Sequence, residues 1–355
     1  MRRVTTFAAT MLAGALALTA CGGSDTSASN STKKPSSGGS SSSSEQTLKV
    51  GLAYDIGGRG DQSFNDLAAA GLDKVKSDLK LETKELAATA GETDADKQTR
   101  LELLAKGGFN PIIAVGFAYA TALGKVAPQY PDTKFAIIDS VVDAPNVTGL
   151  TFAEEQGSFL VGAAAALKTK SNNVGFIGGC LVPLLQKFEA GYVAGVHKVD
   201  PSIKVQVKYL STPAGNCTGF NDPAAGKETA NGMYDNNADI IYTAAGGSGK
   251  GAFEAAKAKG QLGIGVDSDQ YNQEPLADVK EVIMTSALKR VDTAVFEYVE
   301  SVAKGDPLTG VQVFDLERNG VGYSTSGGQV DDIKSKLDDY RQQIIDGKIK
   351  IPTKP

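Results

Sequence analysis

The sequence predicts an α/β protein of two lobes, each lobe built on a doubly wound, mainly parallel sheet. From residue 47 onward, short runs rich in Val, Ile and Phe alternate with segments of helical length. Such near-continuous apolar runs are typical of strands buried on both faces of a parallel sheet. The alternation starts at Leu48 and starts again at Val174. Halves of about 100 residues each indicate two similar lobes with a cleft between them.

Nine runs are predicted as strands, and they are Leu48–Tyr54, Pro111–Gly116, Phe135–Ser140, Val147–Phe152, Val174–Gly178, Val205–Leu210, Ile240–Ala245, Gly263–Asp267 and Val282–Leu288. Between them, apolar residues recur at the spacing of one helix face, as at Leu67, Gly71, Val75 and Leu79. A helix of small residues, Glu155–Lys168, separates the two halves. Strand–helix alternation of this kind predicts parallel strands joined by crossover helices.

Residues 1–20 have the organisation of a secretory signal peptide. Two arginines precede an apolar run, Phe7–Leu18, which is shorter than the roughly 20 apolar residues of a transmembrane helix. Small residues directly before Cys21 resemble a bacterial lipobox. This resemblance implies that Cys21 becomes the first mature residue and carries a lipid anchor. The alternative is an ordinary cleaved signal followed by an incidental cysteine.

The next segment, residues 21–46, is predicted to be a flexible tether between the anchor and the folded lobes. Its Gly22–Ser44 part consists almost wholly of Gly, Ser, Thr and Asn, a composition that cannot bury a core. A flexible chain of this length would hold the folded part roughly 25–30 Å from the bilayer.

Composition argues against several classes of function. The chain has 36 basic and 41 acidic residues, and loss of the two signal-peptide arginines changes its formal charge from −5 to −7. An acidic protein is a poor partner for nucleic acid. One histidine, His197, and the lack of a CxxC spacing argue against a zinc centre, so we expect no metal and no cofactor. Cys180 and Cys217 are expected to pair in an exported protein, with two free thiols as the alternative.

Glycine-rich stretches do not fit the nucleotide-binding motifs. AAGGSGKG (Ala244–Gly251) has Ala244 where a P-loop needs its first glycine and Gly251 where it needs Ser or Thr. GGRGDQS (Gly57–Ser63) does not fit GxGxxG, and its Arg-Gly-Asp tripeptide is interpreted as part of a turn. Phosphate transfer is therefore disfavoured.

The stretch Asp55–Gly71 contains the first candidate site residues. Asp55 follows the first strand, and a glycine-rich turn leads to a helix that is predicted to open at Gln62–Ser63. Ligands bind at this edge of a parallel sheet, beside free helix N–H groups. Phe64 offers a flat apolar face and Asn65 an amide that donates and accepts, which suits a small ring bearing hydroxyls. The alternative is that Phe64 is core and Asn65 is a cap.

Further candidates follow other strands. Asp139 and Asp267 each end a strand, where carboxylates can accept hydrogen bonds from vicinal hydroxyls. Lys289 can donate to the same hydroxyls and balance the carboxylates. Phe220-Asn221-Asp222-Pro223 leads into a helix (Ala224 onward) in the second half, as Phe64-Asn65 does in the first. Two rings at equivalent places on opposing lobes could close on both faces of a planar ring.

These residues lie in motifs that resemble the basic membrane protein family of bacterial lipoproteins, the nucleoside-binding components of ABC transporters. The family-like motifs are VGLAYDIGGRGDQSFNDLAAAGL (Val50–Leu72), FEAGYVAGV (Phe188–Val196), FNDPAAGKETA (Phe220–Ala230), GVDSDQ (Gly265–Gln270) and TSALKRVD (Thr285–Asp292). The resemblance extends over nearly all of residues 47–352. It implies the type I periplasmic-binding fold, with a ligand cleft at the hinge between its lobes. The expected lobe I spans 47–152 and about 288–308, and lobe II spans 153–287 and about 309–355.

The resemblance also implies a set of ligand-binding residues. They are Asp55, Phe64, Asn65, Asp139, Phe220, Gly246, Asp267 and Lys289. Phe64 and Phe220 would enclose the base. The implied protein is a lipid-anchored, extracytoplasmic monomer without enzymatic activity, which captures nucleosides, purine nucleosides favoured, and delivers them to an ABC permease. The alternative is a binding protein for another sugar or furanose-type ligand.

Overall fold

The computed structural model describes residues 48–89 and 91–355. The predicted signal peptide, lipidated Cys21 and tether lie outside the described residues. The strands are β1 (Lys49–Ala53), β2 (Glu82–Leu86), β3 (Ile112–Ala114), β4 (Phe135–Ile138), β5 (Val147–Phe152), β6 (Asn173–Gly178), β7 (Lys204–Tyr209), β8 (Ile240–Ala244), β9 (Leu262–Asp267), β10 (Ile283–Lys289), β11 (Val311–Phe314) and β12 (Val321–Tyr323). The helices are α1 (Phe64–Lys74), α2 (Asp94–Lys106), α3 (Ala120–Val126), α4 (Glu154–Lys168), α5 (Pro183–Val199), α6 (Pro223–Asp235), α7 (Gly249–Lys259), α8 (Val291–Ala303) and α9 (Lys334–Ile345).

The described strands form two sheets of six, with matching orders. The first sheet runs β11-β5-β4-β3-β1-β2, and its neighbouring strands are parallel. The second runs β12-β10-β9-β8-β6-β7, parallel except where β10 meets β12. By position, β1, β3 and β4 correspond to β6, β8 and β9. The predicted two-lobed α/β fold is confirmed, and each lobe presents an edge of strand carboxyl ends.

The inner strands are apolar because both of their faces are covered. β4 and β8 are buried along their whole length. This is the sequence pattern of a parallel sheet with helices on both sides. The β1–α1 turn leads into a helix N-terminus whose backbone N–H groups are hydrogen-bonded. The carboxylate of Asp61 accepts from the N–H groups of Ser63, Asn65 and Asp66. The helix therefore begins at Phe64, just after the predicted Gln62–Ser63.

Each of the nine predicted strands is present, and three further strands were not predicted. β2 and β11 lie at sheet edges, and exposed or half-exposed residues dominate both. They lack the apolar run that marks a buried strand. β11 also corrects the expected boundary at about residue 309, because Val311–Phe314 belongs to the first sheet rather than the second.

Among the described residues, none of the helices is both long enough and apolar enough to cross a membrane. The chain passes from the first sheet to the second through α4, and returns through α8, which packs against α1. These passages place the carboxyl edges of the two sheets on either side of one cleft.

Candidate functional site

A cavity lies between the two lobes, with an empty volume of about 600 Å³ that includes solvent at its mouth. This is the size range of small-molecule sites. All eight predicted ligand-binding residues line it: Asp55, Phe64, Asn65, Asp139, Phe220, Gly246, Asp267 and Lys289. The residues that the sequence analysis missed are Ile56, Asp61, Gly116, Phe117, Leu184, Leu185, Phe188, Ala244 and Val266.

Asp139 and Asp267 occupy equivalent places in the two lobes. Asp139 follows β4 and Asp267 ends β9, so each stands at the carboxyl end of the fourth strand from the same side of its sheet. Both have left-handed backbone, with φ of 64° and 63°. This conformation is uncommon outside glycine but is enriched in Asp, and it occurs often at functional sites. It turns both carboxylates toward the same cavity.

Lys289 is the cation at the centre of this acidic group. Its Nζ lies 2.6 Å from Oδ2 of Asp139 and 3.3 Å from Oε1 of Glu154, and its side chain is 3% exposed. Burial by itself would lower the pKa of Lys289. The carboxylates of Asp139, Glu154 and Asp267 outweigh that effect and hold this pKa above its ordinary value. Lys289 is therefore a permanent positive charge in the site.

Three aromatic rings surround the same ammonium group. Its Nζ lies 5.1 Å from the ring centre of Phe64, 5.0 Å from that of Phe152 and 5.5 Å from that of Phe188. At such distances the ring faces attract a cation. The rings also exclude water from the ammonium group, which strengthens its ion pairs.

Asp139 keeps one oxygen free for a further partner. Among the described residues, nothing is hydrogen-bonded to its Oδ1, although that atom is buried. Burial raises the pKa of Asp139 to about 7, against the opposing effect of the Lys289 charge. Burial also raises the pKa of Asp267, whose Oδ2 accepts from Oγ of Ser63. A ligand hydroxyl at Asp139 Oδ1 would satisfy an otherwise costly buried acceptor.

The β1–α1 turn directly contacts the second lobe. Ser63 Oγ donates to Asp267 Oδ2 over 2.6 Å. The carbonyl of Gln62 accepts from Ser268 Oγ at 2.7 Å and from Gln270 Nε2 at 3.0 Å. These bonds join the two sheets without involving a ligand, and they lie beside the cavity.

Asn65 fits both sequence interpretations. Its Oδ1 accepts from the Asp55 backbone N–H at 3.1 Å, and its Nδ2 donates to the Ile56 carbonyl and to Asp61. The amide therefore orders the turn while its side chain lines the cavity. Its role as a ligand contact stays a prediction.

The charge of Asp55 is stabilised by two basic residues that the sequence analysis did not select, Lys97 and Arg100. Burial raises its pKa to about 6, while the charges of Lys97 and Arg100 oppose that rise. Both cations pair with Glu92, whose side chain is 1% exposed. Only the strand-end position of Asp55 was visible in the sequence, because these partners lie in another loop and helix.

The apolar wall of the cavity comes from both lobes. The rings of Phe117 and Phe220 have centroids 6.5 Å apart and meet edge-on at 62°. Phe117 follows β3 at the same edge of the sheet as Asp139, but it carries no polar group and so was not selected with the strand-end carboxylates. Leu184, Leu185 and Phe188 line the cavity from α5. Phe188 opens the family-like motif FEAGYVAGV, but none of the three residues was selected for the site, because apolar residues within a helix are ordinarily core.

The Arg-Gly-Asp tripeptide is part of the turn, as the sequence predicted. Arg59 donates to Asp73 and to Glu85, and Asp61 is buried as the acceptor at the start of α1. His197 lies exposed on α5. Cys180 and Cys217 are joined by a disulfide, with Cα atoms 5.1 Å apart.

Two lobes of equal topology around one mixed polar and aromatic cavity define a solute-binding protein of the type I periplasmic-binding fold. A solved ABC transporter solute-binding protein from Aeropyrum pernix supports this class, with a TM-score of 0.74 and 29% identity over 86% of this chain and 93% of that one. Such proteins bind a solute and do not catalyse a reaction.

The chain belongs to the Bmp family, because the family model described as "ABC transporter substrate-binding protein PnrA-like" matches residues 48–355. A "CD4+ T-cell-stimulating antigen" of Listeria monocytogenes is 34% identical over 86% of this chain and 88% of its own length. The "ABC transporter nucleoside-binding protein BmpA" of Lactococcus lactis is 33% identical over 86% of this chain and 90% of its own length.

Proposed function

We propose that this protein binds nucleosides, with purine nucleosides favoured, and delivers them to an ABC permease. The observation that carries the proposal is the chemical division of the cavity. Phe64, Phe117 and Phe220 offer apolar ring faces, whereas Asp139 and Lys289 supply buried acceptors and a cation. A nucleoside has the same division between base and ribose. The name of the Lactococcus lactis relative, a nucleoside-binding protein, supports the same ligand class.

The proposed contacts follow from the groups that are free to bind. Asp139 Oδ1 accepts a ribose hydroxyl, and Asp267 and Lys289 complete the ribose contacts. Phe64 and Phe220 stack on the base, a contact that is worth about 1–3 kcal/mol per base. A purine presents a larger face to these rings than a pyrimidine does, which favours purine nucleosides.

Acidic side chains in the same cavity disfavour nucleotides. Asp55, Asp139 and Asp267 all line it, with Lys289 as the lining cation. A phosphate would add negative charge to a buried group that already has more carboxylates than cations, and like charges at such sites repel strongly. The proposed ligand is therefore the uncharged nucleoside.

The proposed mechanism is closure of the lobes around the ligand. A ligand favours the closed arrangement only through its higher affinity for that arrangement. The contacts of Gln62 and Ser63 with the second lobe lie at the cavity, so they are formed or lost with the same movement. The closed protein is the form that we expect a permease to recognise.

The test is isothermal titration calorimetry of residues 46–355 with adenosine, guanosine, inosine, uridine, cytidine, ribose and the nucleoside monophosphates. We expect purine nucleosides to bind best and monophosphates to bind much more weakly. Phe64→Ala should weaken nucleoside binding. Phe296→Ala, which removes a ring packed against Lys74 outside the cavity, is the matched control. Binding of ribose alone, with no effect of the base, would show that the ligand class is wrong.

We also propose that the mature protein is anchored to the outer face of the cell membrane by lipid on Cys21, and that it is monomeric. The lipobox-like sequence before Cys21 supports the anchor, as does the printed name "uncharacterized lipoprotein" of a Pyrococcus horikoshii relative. Cys21→Ser should release the protein from the membrane fraction. Retention of that variant at the membrane would contradict the anchor, and sedimentation of residues 46–355 tests the monomer.

A further inference from the structure

We propose that the Cys180–Cys217 disulfide is a positioning element of the binding site, which sets the ring of Phe220 for contact with the base. This inference rests on the proposed function. The disulfide joins the turn after β6 to the segment that ends at Phe220. The two cysteines do not line the cavity, so the disulfide acts through Phe220.

The ring of Phe220 packs directly on the backbone beside Cys180. A Cβ placed on Gly179 would lie 2.5 Å from Cδ1 of that ring. The ring therefore needs a glycine at this position and is held against the β6 turn. Cys180 directly follows Gly179. The disulfide therefore ties the segment that ends at Phe220 to the same turn against which the Phe220 ring packs.

The segment before Phe220 has little regular structure to hold it. It runs through two short turns, and both Asn216 and Cys217 have left-handed backbone, with φ of 53°. Two of its backbone bonds are long, with 3.4 Å from Cys217 N to the Thr212 carbonyl and 3.4 Å from Phe220 N to the Cys217 carbonyl. The covalent link at Cys217 restricts the conformation of this segment more than these two long hydrogen bonds do.

Polar contacts fix the residue next to Phe220 in the same place. Ser211 Oγ donates to the Gly179 carbonyl at 2.7 Å and accepts from the Gly219 N–H at 3.0 Å. Ser248 Oγ donates to the Gly219 carbonyl at 2.7 Å. The disulfide and these bonds thus hold the segment from two sides, and Phe220 projects from it toward Phe117 on the other lobe.

The test is a double-mutant cycle on nucleoside affinity. Phe220→Ala should weaken binding by ~10-fold, as expected for loss of one stacking face. The double variant Cys180→Ser/Cys217→Ser should weaken it by about 3- to 10-fold, since the ring remains but loses its fixed position. In the Phe220→Ala background the two cysteine substitutions should have no further effect. If the disulfide acts only on the stability of the fold, its loss would change the apparent nucleoside affinity by the same factor in both backgrounds.

A second variant moves the ring and keeps the disulfide. Gly179→Ala should reproduce the loss of affinity, because its Cβ would displace the Phe220 ring. If the cysteine variant does not fold, the same comparison is made on folded wild-type protein before and after reduction with a phosphine. The inference is wrong if loss of the disulfide leaves nucleoside affinity unchanged while Phe220→Ala weakens it. Wild-type protein that binds no nucleoside would instead contradict the proposed function.

Discussion

Ser63, in the turn before α1 of the first lobe, donates a 2.6 Å hydrogen bond to Asp267 at the end of β9 in the second lobe. Both side chains are buried. The bond orients a carboxylate that lines the cavity and at the same time joins the lobes. In the proposed mechanism, ligand contact and lobe closure are therefore linked through one residue, Asp267.

Ser63→Ala should weaken binding of every nucleoside by roughly 10-fold. A hydrogen bond to a charged group contributes about 1.5–3 kcal/mol, and its loss disfavours the closed lobes whatever the base is. Calorimetry with several nucleosides measures the effect. Ser77→Ala, which removes an exposed hydroxyl after α1, is the control and should bind as wild type does. Equal affinity of Ser63→Ala and wild type would show that the bond does not support binding.

Lys289→Met should destabilise the protein by about 3–5 kcal/mol, since removal of one partner leaves buried carboxylates without compensation. Asp139 loses the cation with which it pairs, whereas Glu154 keeps its ion pair with Lys187. Urea unfolding measures the change. Lys304→Met is the control, because it breaks an exposed pair with Glu300, and it should cost less than about 1 kcal/mol. A similar loss of stability in both variants would contradict the proposal that Lys289 compensates the buried carboxylates.

Stability should fall as pH rises from about 4 to about 7. Burial raises the pKa of Asp55 and Asp61 to about 6 and that of Asp139 to about 7. These carboxyls titrate near 3.9 in the unfolded chain, so within this window the folded protein binds more protons than the unfolded chain. The free energy of unfolding then decreases with rising pH. Urea unfolding at about pH 5 and about pH 7 measures this slope.

Asp139→Asn tests the origin of that slope. The amide has a similar shape and does not titrate, so the dependence on pH should become weaker. Asp78→Asn is the control: it replaces an exposed carboxyl whose pKa is lowered by its bond to Lys74, and its titration lies below this window. An unchanged slope in Asp139→Asn would show that another group is responsible.

Gly116→Ala should abolish or strongly weaken ligand binding. Gly116 has a φ of 98°, and a Cβ there would lie 2.3 Å from Oδ2 of Asp55, so that carboxylate would have to move. Calorimetry measures the affinity. Gly108→Ala is a matched control with a φ of 75°, and its Cβ would meet nothing within 4 Å among the described residues. It should cost about 1 kcal/mol of stability through backbone strain and leave affinity unchanged. Equal affinity in the two variants would exclude a role for the position of Asp55.

Much of the cavity lining could be predicted because its polar residues follow strands. Asp55, Asp139 and Asp267 were selected from the chemistry at strand ends, and the parallel sheets bring those ends together. Phe188 could not be selected in this way. It lies within α5, where an apolar residue is ordinarily part of the core. It lines the cavity only because α5 packs beside the cleft.

The edge strands show the same limit for the fold. β11 has only four residues, Val-Gln-Val-Phe, and both valines are exposed, so its sequence does not show which sheet it joins. Its pairing with β5 decides its place. A short edge strand is defined by the neighbour that it meets, and this neighbour is distant in the chain.

The sequence by itself determined the two-lobed α/β architecture and the strand ends that carry polar groups, because apolar periodicity and strand-end position are local properties. The tertiary structure decided which groups are partners. Lys289 meets Asp139 across 150 residues of chain, and Ser63 meets Asp267 across 204. Such pairs depend on how two sheets face each other, and the energy of a buried charge depends on its neighbours in space rather than in sequence.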